Sequence, residues 1–231
     1  MKKIAFIFAR GGSKGLPNKN ILDFCGKPLI AHTIYNSIES RIFDDVIVST
    51  DNETITKIAR EYGATVPFIR PDKLADDNSD EWYSWKHAVK SYQDSFDLFI
   101  SLPCTSPLRD YSDIAAMIDK YNEVKCDVVL GITKSNHHPS FNMVKKNKKG
   151  DISLLEQSND NIFRRQDSED CYNITTYAYI CSPHYIQTSN KLLSGNIYGY
   201  ELDKKVCIDI DDIYDFQFAE FLYNKKGKDA S

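Results

Sequence analysis

The sequence predicts an α/β fold built on a mostly parallel sheet, and three patterns carry the prediction. Short β-branched and aromatic runs alternate with segments of helical periodicity, the rhythm of βαβ units. The runs are apolar throughout, as in strands covered on both faces. A glycine-rich loop directly follows the first run, at the strand edge where parallel sheets collect ligands.

The elements follow in order. KIAFIF (3–8) and VIVST (46–50) read as buried strands. Between them, PLIAHTIYNSIES puts Ile30, Ile34 and Ile38 on one helical face, with Pro28 suited to the first turn. ETITKIAREYG repeats the pattern with Ile55, Ile58, Ala59 and Tyr62 and stops at Gly63. Residues 64–69 are expected as a strand, and Trp82, Trp85, Val89 and Tyr92 have the spacing of a helix packed on the core. DLFISL (97–102) is a strand, 111–122 a helix, and DVVLGIT (127–133) a further strand. The rhythm then breaks: from Lys134 to Tyr172 the chain is polar and lysine-rich, which predicts a hairpin-like excursion or interaction arm. The sheet pattern returns at YAYIC (177–181), and CIDIDD (207–212) precedes a last helix over 213–225. A single domain spanning 1–231, with 134–172 inserted, accommodates all of this.

The chain carries a net charge of −4, which speaks against a general nucleic-acid or membrane-surface binder. Any anion site must be local. No apolar run reaches transmembrane length, and the stretch after Lys3 is too short for a signal-peptide core, so a cytoplasmic protein is expected. The six cysteines show no CxxC pair and read as reduced thiols. Adjacent His137 and His138 point different ways on most backbones and lack a partner at ligand spacing, so zinc is not expected there.

The opening loop, FARGGSKGLPNKN (8–20), concentrates Arg10, Lys14 and Lys19 around glycines. Glycines let the backbone approach a phosphate, and the cations would neutralise it. A plain glycine turn with solvated cations is the alternative. GxxxxGK[ST] and GxGxxG are both absent, so neither a P-loop nor a dinucleotide fingerprint applies. Near the C-terminus, Asp209 and Asp211 are two residues apart; on a strand both carboxylates would share one face and could reach one Mg²⁺. Helix N-capping by Asp211 or Asp212 fits the same spacing.

ARGGSKGLPNKN resembles the signature loop of the CMP-sialic acid synthetase family, the cytidylyltransferases that activate nine-carbon keto-acid sugars. VIVSTDNE (46–53), RPDKLADDNS (70–79), TSPLR (105–109) and CIDIDDIYDF (207–216) match further family segments in order. The resemblance implies a Rossmann-like nucleotidyltransferase that joins CMP from CTP to a nonulosonic acid and releases pyrophosphate. It implies CTP contacts at Arg10, Gly12, Ser13, Lys14, Lys19, Asn20, Arg70 and Ser79. Lys19, Asp211 and Arg10 would be catalytic, and Mg²⁺ would sit on Asp209 and Asp211, which leaves Asp212 as the cap. Sugar contacts fall on Pro103, Thr105, Arg165 (in RRQD, 164–167) and Tyr179. The excursion would pack across a homodimer interface.

Departures from the family pattern cluster where it reads the sugar. Pro103 and Cys104 replace a Gln-Pro pair, TTYAY (175–179) replaces NGAIY, and Leu192-Leu193 stands where sialic acid enzymes have an aromatic pair. The expected acceptor is therefore a legionaminic or pseudaminic type of sugar. The alternatives are cytidylyl transfer to another keto-deoxy sugar acid and a nucleotide-binding protein without turnover.

Overall fold

β1 (Lys3–Phe8) is buried along its middle, and its side chains divide between two cores. Ala5 and Ile7 face one, Ile4 and Phe6 the other, as the two-residue period of a strand requires. In the computed structural model the described residues are 1–13, 15–76, 79–156 and 169–229, with only the backbone for 226–229.

β1 pairs in parallel with β4 (Asp45–Ser49) on one side and β5 (Leu98–Ser101) on the other. Beyond β5 lies β9 (Tyr172–Cys181), antiparallel to both β5 and β6 (Val128–Lys134). β10 (Ile197–Glu201) closes that edge in parallel with β6, which gives the six-stranded order β10-β6-β9-β5-β1-β4. The mixed α/β fold with a mostly parallel sheet is thus the one the sequence predicts.

Helices α1 (Leu29–Glu39), α2 (Glu53–Glu61) and α4 (Tyr111–Val124) cover one face; α3 (Glu81–Ser91) and α5 (Pro183–Thr188) cover the other. Side-chain oxygens cap four of these helices: Asn52 on α2, Asp80 on α3, Asp110 on α4 and Ser182 on α5. Each satisfies one backbone N–H that the first turn leaves open. A third, smaller core joins the β2–β3 hairpin (Asp23–Phe24, Lys27–Pro28) to α6 (Ile213–Asp229) through Phe24, Leu29, Ile210 and Phe216.

Four expectations change. Residues 64–69 form no strand: Thr65 makes one bridge to Ile47, and Pro67 then lacks the N–H a ladder needs. Residues 207–212 lie outside the sheet. β9 begins at Tyr172, five residues before the apolar YAYIC, because its polar first half pairs with the end of β6. β10 and α5 are additional; their signals were the alternating IYGYE and the Ser-Pro start. Within the excursion, β7 (Val144–Lys146) and β8 (Ile152–Leu154) pair as a hairpin whose turn uses Gly150 at φ 98°. Among the described residues no helix is long and apolar enough to cross a membrane.

Candidate active site

The carboxyl ends of β1 and β5 open on a cavity of about 670 Å³. The loop after β1 forms its floor and is braced from three sides. Asp51, just past β4, accepts the Gly11 N–H at 3.0 Å and lies 3.5 Å from Nη2 of Arg70 through the same oxygen. Asn20 donates its amide N–H to the Arg10 carbonyl (3.0 Å) and accepts from the Cys104 thiol (3.0 Å). Asn20 thereby holds the loop with both ends of its side chain. Burial pushes the Cys104 thiol up to about 11, so it stays a neutral donor at physiological pH.

The third brace reaches across the chain. Lys19, whose side chain is 13% exposed, donates from Nζ to the Ile210 carbonyl and lies 3.6 Å from Oδ1 of Asp211. Gly15 meets the same segment: a Cβ there would fall 2.5 Å from the Asp211 carbonyl oxygen, so no larger residue fits without displacement. Ile210 is fully buried in the small third core, and its N–H donates to the Thr105 carbonyl at 2.9 Å. This anchored residue carries Asp209 and Asp211 on either side.

Since 207–212 is not a strand, the two carboxylates are not equivalent. Asp211 is 81% exposed, whereas Oδ1 of Asp209 is buried without a hydrogen-bond partner. Burial raises the Asp209 pKa, and Asp211 adds to the effect; the Thr105 and Thr176 hydroxyls and Lys19 oppose it. Asp212 is the helix cap, accepting from the N–H groups of Tyr214 (2.8 Å) and Asp215 (3.0 Å). Two hard oxygen ligands beside an ammonium suit Mg²⁺, which commonly takes one or two carboxylates and completes its shell with phosphates and water. Among the described residues no group of three or more His, Cys, Asp or Glu could hold a metal without such help.

Pro103, Thr105, Thr176 and Tyr179 line another wall. Buried Arg109 fixes it from behind, donating from Nε to the Tyr177 carbonyl (2.6 Å) and from Nη2 to the Pro103 carbonyl (2.7 Å). The Thr176 hydroxyl is engaged with Ser106 at 2.9 Å, and that of Thr175 donates to the Gly131 carbonyl at 3.1 Å. Tyr179 packs on Trp85, with ring centroids 5.5 Å apart, and burial raises its pKa, helped by Glu81 and Asp209.

Arg10, Ser13, Lys19, Asn20, Arg70 and Ser79 therefore share one cavity with Pro103, Thr105, Tyr179, Asp209 and Asp211. Gly12 belongs to the loop but not to the cavity wall, while Gly15 does line it. Leu192 and Leu193 also lie outside the wall; Leu193 is exposed. Lys14 and Arg165 lie outside the described residues. Phe8, Asp76, Glu81 and Ser84 line the cavity without having been singled out in the sequence. Asp76 lies within the RPDKLADDNS segment without standing out there, and only the turn into α3 brings Glu81 to the site.

Comparison with known proteins adds a family match and named relatives. The cytidylyltransferase family model matches residues 4–226. A pseudaminic acid cytidylyltransferase of Campylobacter jejuni is 28% identical over the whole of both chains. An N-acylneuraminate cytidylyltransferase of Escherichia coli is 35% identical over 98% of this chain, which spans only 53% of that longer protein. Among solved structures, CMP:2-keto-3-deoxy-manno-octonic acid synthetase complexed with CTP superposes with a TM-score of 0.73 at 16% identity, covering 98% of this chain and all of that one. That likeness concerns the fold.

Proposed function

The chain belongs to the cytidylyltransferase family, and from that premise we propose that it transfers CMP from CTP to a nonulosonic acid. One observation carries the proposal: the cationic glycine loop and the Asp209–Asp211 segment meet in a single cavity, joined by Lys19. The triphosphate lies on the loop, where Arg10 and Ser13 hold it and Asn20 keeps the loop in shape. Arg70 and Ser79 take the nucleoside end.

The sugar's anomeric hydroxyl attacks the α-phosphorus of CTP. A new phosphorus–oxygen bond forms, the α–β bridge breaks with its electrons leaving on pyrophosphate, and the hydroxyl proton passes to the Asp211 carboxylate. Lys19 stabilises the charge that develops on the α-phosphate oxygens; such reactions depend mainly on positioning and charge neutralisation. Asp209 and Asp211 would hold Mg²⁺, which when bound neutralises phosphate charge. The unpartnered buried Oδ1 of Asp209 supports that fit.

The acceptor is of the pseudaminic or legionaminic type. Pro103 offers no amide, and the Thr176 hydroxyl is already engaged, so the wall suits a more deoxygenated sugar than N-acetylneuraminate. Arg165 binds the sugar carboxylate common to the class. The enzyme works as a cytoplasmic homodimer, with the excursion at the interface; exposed Val144 and Ile152 support that placement. The experiment is pyrophosphate release with CTP and Mg²⁺ across pseudaminate, legionaminate and N-acetylneuraminate derivatives. Turnover should favour the first two. No release with any of them refutes the function, and a preference for N-acetylneuraminate refutes the sugar assignment.

A further inference from the structure

The last helix carries an apolar stripe that the fold does not use. α6 buries Phe216 and Ala219 in the third core, and Tyr223 packs on Phe24 and His32, with ring centroids 5.5 Å and 5.2 Å away. Those residues define its inner face. Tyr214, Phe218 and Phe221 follow one another at i, i+4 and i+7, so they form a row on the opposite side of the helix. They are 78%, 50% and 62% exposed. A single exposed apolar residue needs no explanation, but three aromatic rings in one row do.

The order of residues along the stripe says what fits it. Exposed Lys225 continues the row at i+11. A second α6 laid antiparallel, about a two-fold axis between Ala219 and Glu220, sets Phe218 against the partner's Phe221 and Tyr214 against the partner's Lys225. The same pairs recur on the other side of the axis, the self-complementarity that a two-fold contact requires. An ammonium over the Tyr214 ring adds cation–π attraction at both ends. The charges agree. Asp212 and Asp215 open the helix and Lys225 lies toward its end, so antiparallel copies bring unlike ends together and oppose their dipoles. The net charge of −4 disfavours an anionic lipid surface as the occupant.

We propose that the outer face of α6 is a self-association surface, on which a second copy of the chain docks antiparallel through Tyr214, Phe218, Phe221 and Lys225. None of the four lines the cavity, so the inference does not rest on the nucleotide reading. None belongs to the excursion either. A chain with both self-contacts assembles beyond the dimer, as a pair of dimers. The area sets the strength. At about 150–250 Å² per fully covered aromatic side chain, the rings of two copies bury roughly 600–900 Å² at these exposures. Gln217, exposed, and Leu222, half-buried, flank the row and face each other across the axis. They extend the contact toward the roughly 1,000 Å² of a specific interface, so association should be reversible and dependent on concentration.

The test measures assembly mass by light scattering and analytical sedimentation over about 1–100 µM, the range in which a contact of this size should dissociate. The wild type should grow in mass with concentration. Phe218→Glu and Phe221→Lys should each raise the dissociation constant at least about tenfold, as loss of a central aromatic contact does. Both should melt like the wild type, since neither ring packs on the core. The variant carrying both substitutions should associate again, because each glutamate then faces the partner's lysine. Single variants that assemble like the wild type overturn the proposal. So does a double variant that associates no better than the singles. A wild type that stays monomeric throughout also overturns it, and binding of that monomer to phosphatidylcholine vesicles would assign the stripe to a membrane instead. Failure of nucleotidyl transfer would leave all of these readouts intact.

Discussion

Replacing Lys19 by alanine separates two tasks that one ammonium performs. In the folded chain its Nζ donates to the Ile210 carbonyl and lies 3.6 Å from Asp211. The first contact is a charge-assisted hydrogen bond at a side chain only 13% exposed, and such bonds contribute about 1.5–3 kcal/mol. The second involves a carboxylate that is 81% exposed; water screens it, so it adds about nothing to stability. At about 2–4 °C per kcal/mol for a chain of this size, Lys19→Ala should melt roughly 3–12 °C lower. The catalytic loss is a different quantity. A donor aimed at charge that develops in the transition state contributes about 10²–10³ in kcat, while the KM for CTP should move less. The assay is pyrophosphate release well below the variant's melting temperature, paired with thermal melting without ligand. A variant with normal kcat and only a raised KM would show that Lys19 serves ground-state binding. Melting identical to the wild type would show that the Ile210 contact contributes nothing to the fold.

Two further predictions concern buried titratable groups. Asp209→Asn should leave the ligand-free protein at least as stable as the wild type at neutral pH, since it removes a desolvated charge without a partner on Oδ1. The same variant should nearly abolish pyrophosphate release and lose the Mg²⁺-dependent stabilisation by CTP; normal turnover at limiting Mg²⁺ would refute the assignment. His32 is buried, with Nε2–H donating to the Phe24 carbonyl at 2.6 Å, and burial lowers its pKa. The fold therefore holds the neutral ring: its contribution is complete above the unfolded pKa of about 6.5 and is lost as pH falls through the folded value, approaching about 1.4 kcal/mol per pH unit. Urea titrations between pH 5 and 7.5 should show that slope in the wild type and a shallower one in His32→Gln. Parallel curves would remove His32 from the acid response.

Local pattern reached most of the sheet and the floor of the cavity. β1, β4 and β5 each carry a continuous apolar run because both faces are covered, and the loop glycines and cations lie close together in the chain. What depends on distant partners was not legible. Residues 64–69 have strand composition but meet the sheet at a single bridge, and the polar start of β9 is recruited by β6. The spacing of Asp209 and Asp211 implied a shared environment, yet the anchoring of Ile210 leaves one desolvated and the other in solvent. Glu81 sits in a charged stretch like many surface residues. Its environment comes from Arg70 and Trp85, and from Asp209 across the cavity, none of which its own sequence neighbourhood reveals.

The bond from Lys19 to Ile210 spans 191 positions of the chain. At a synthesis rate of about 5–20 residues per second, roughly 10–40 seconds separate the appearance of its two ends. During that interval β1 can already gain β4 and β5 as neighbours, while the cationic loop has no carboxylate segment to close against. The cavity is therefore closed late in synthesis, with only α6 still to follow. A polypeptide interrupted before Ile210 would own all six strands of the main sheet but lack the segment on which Lys19 closes the cavity.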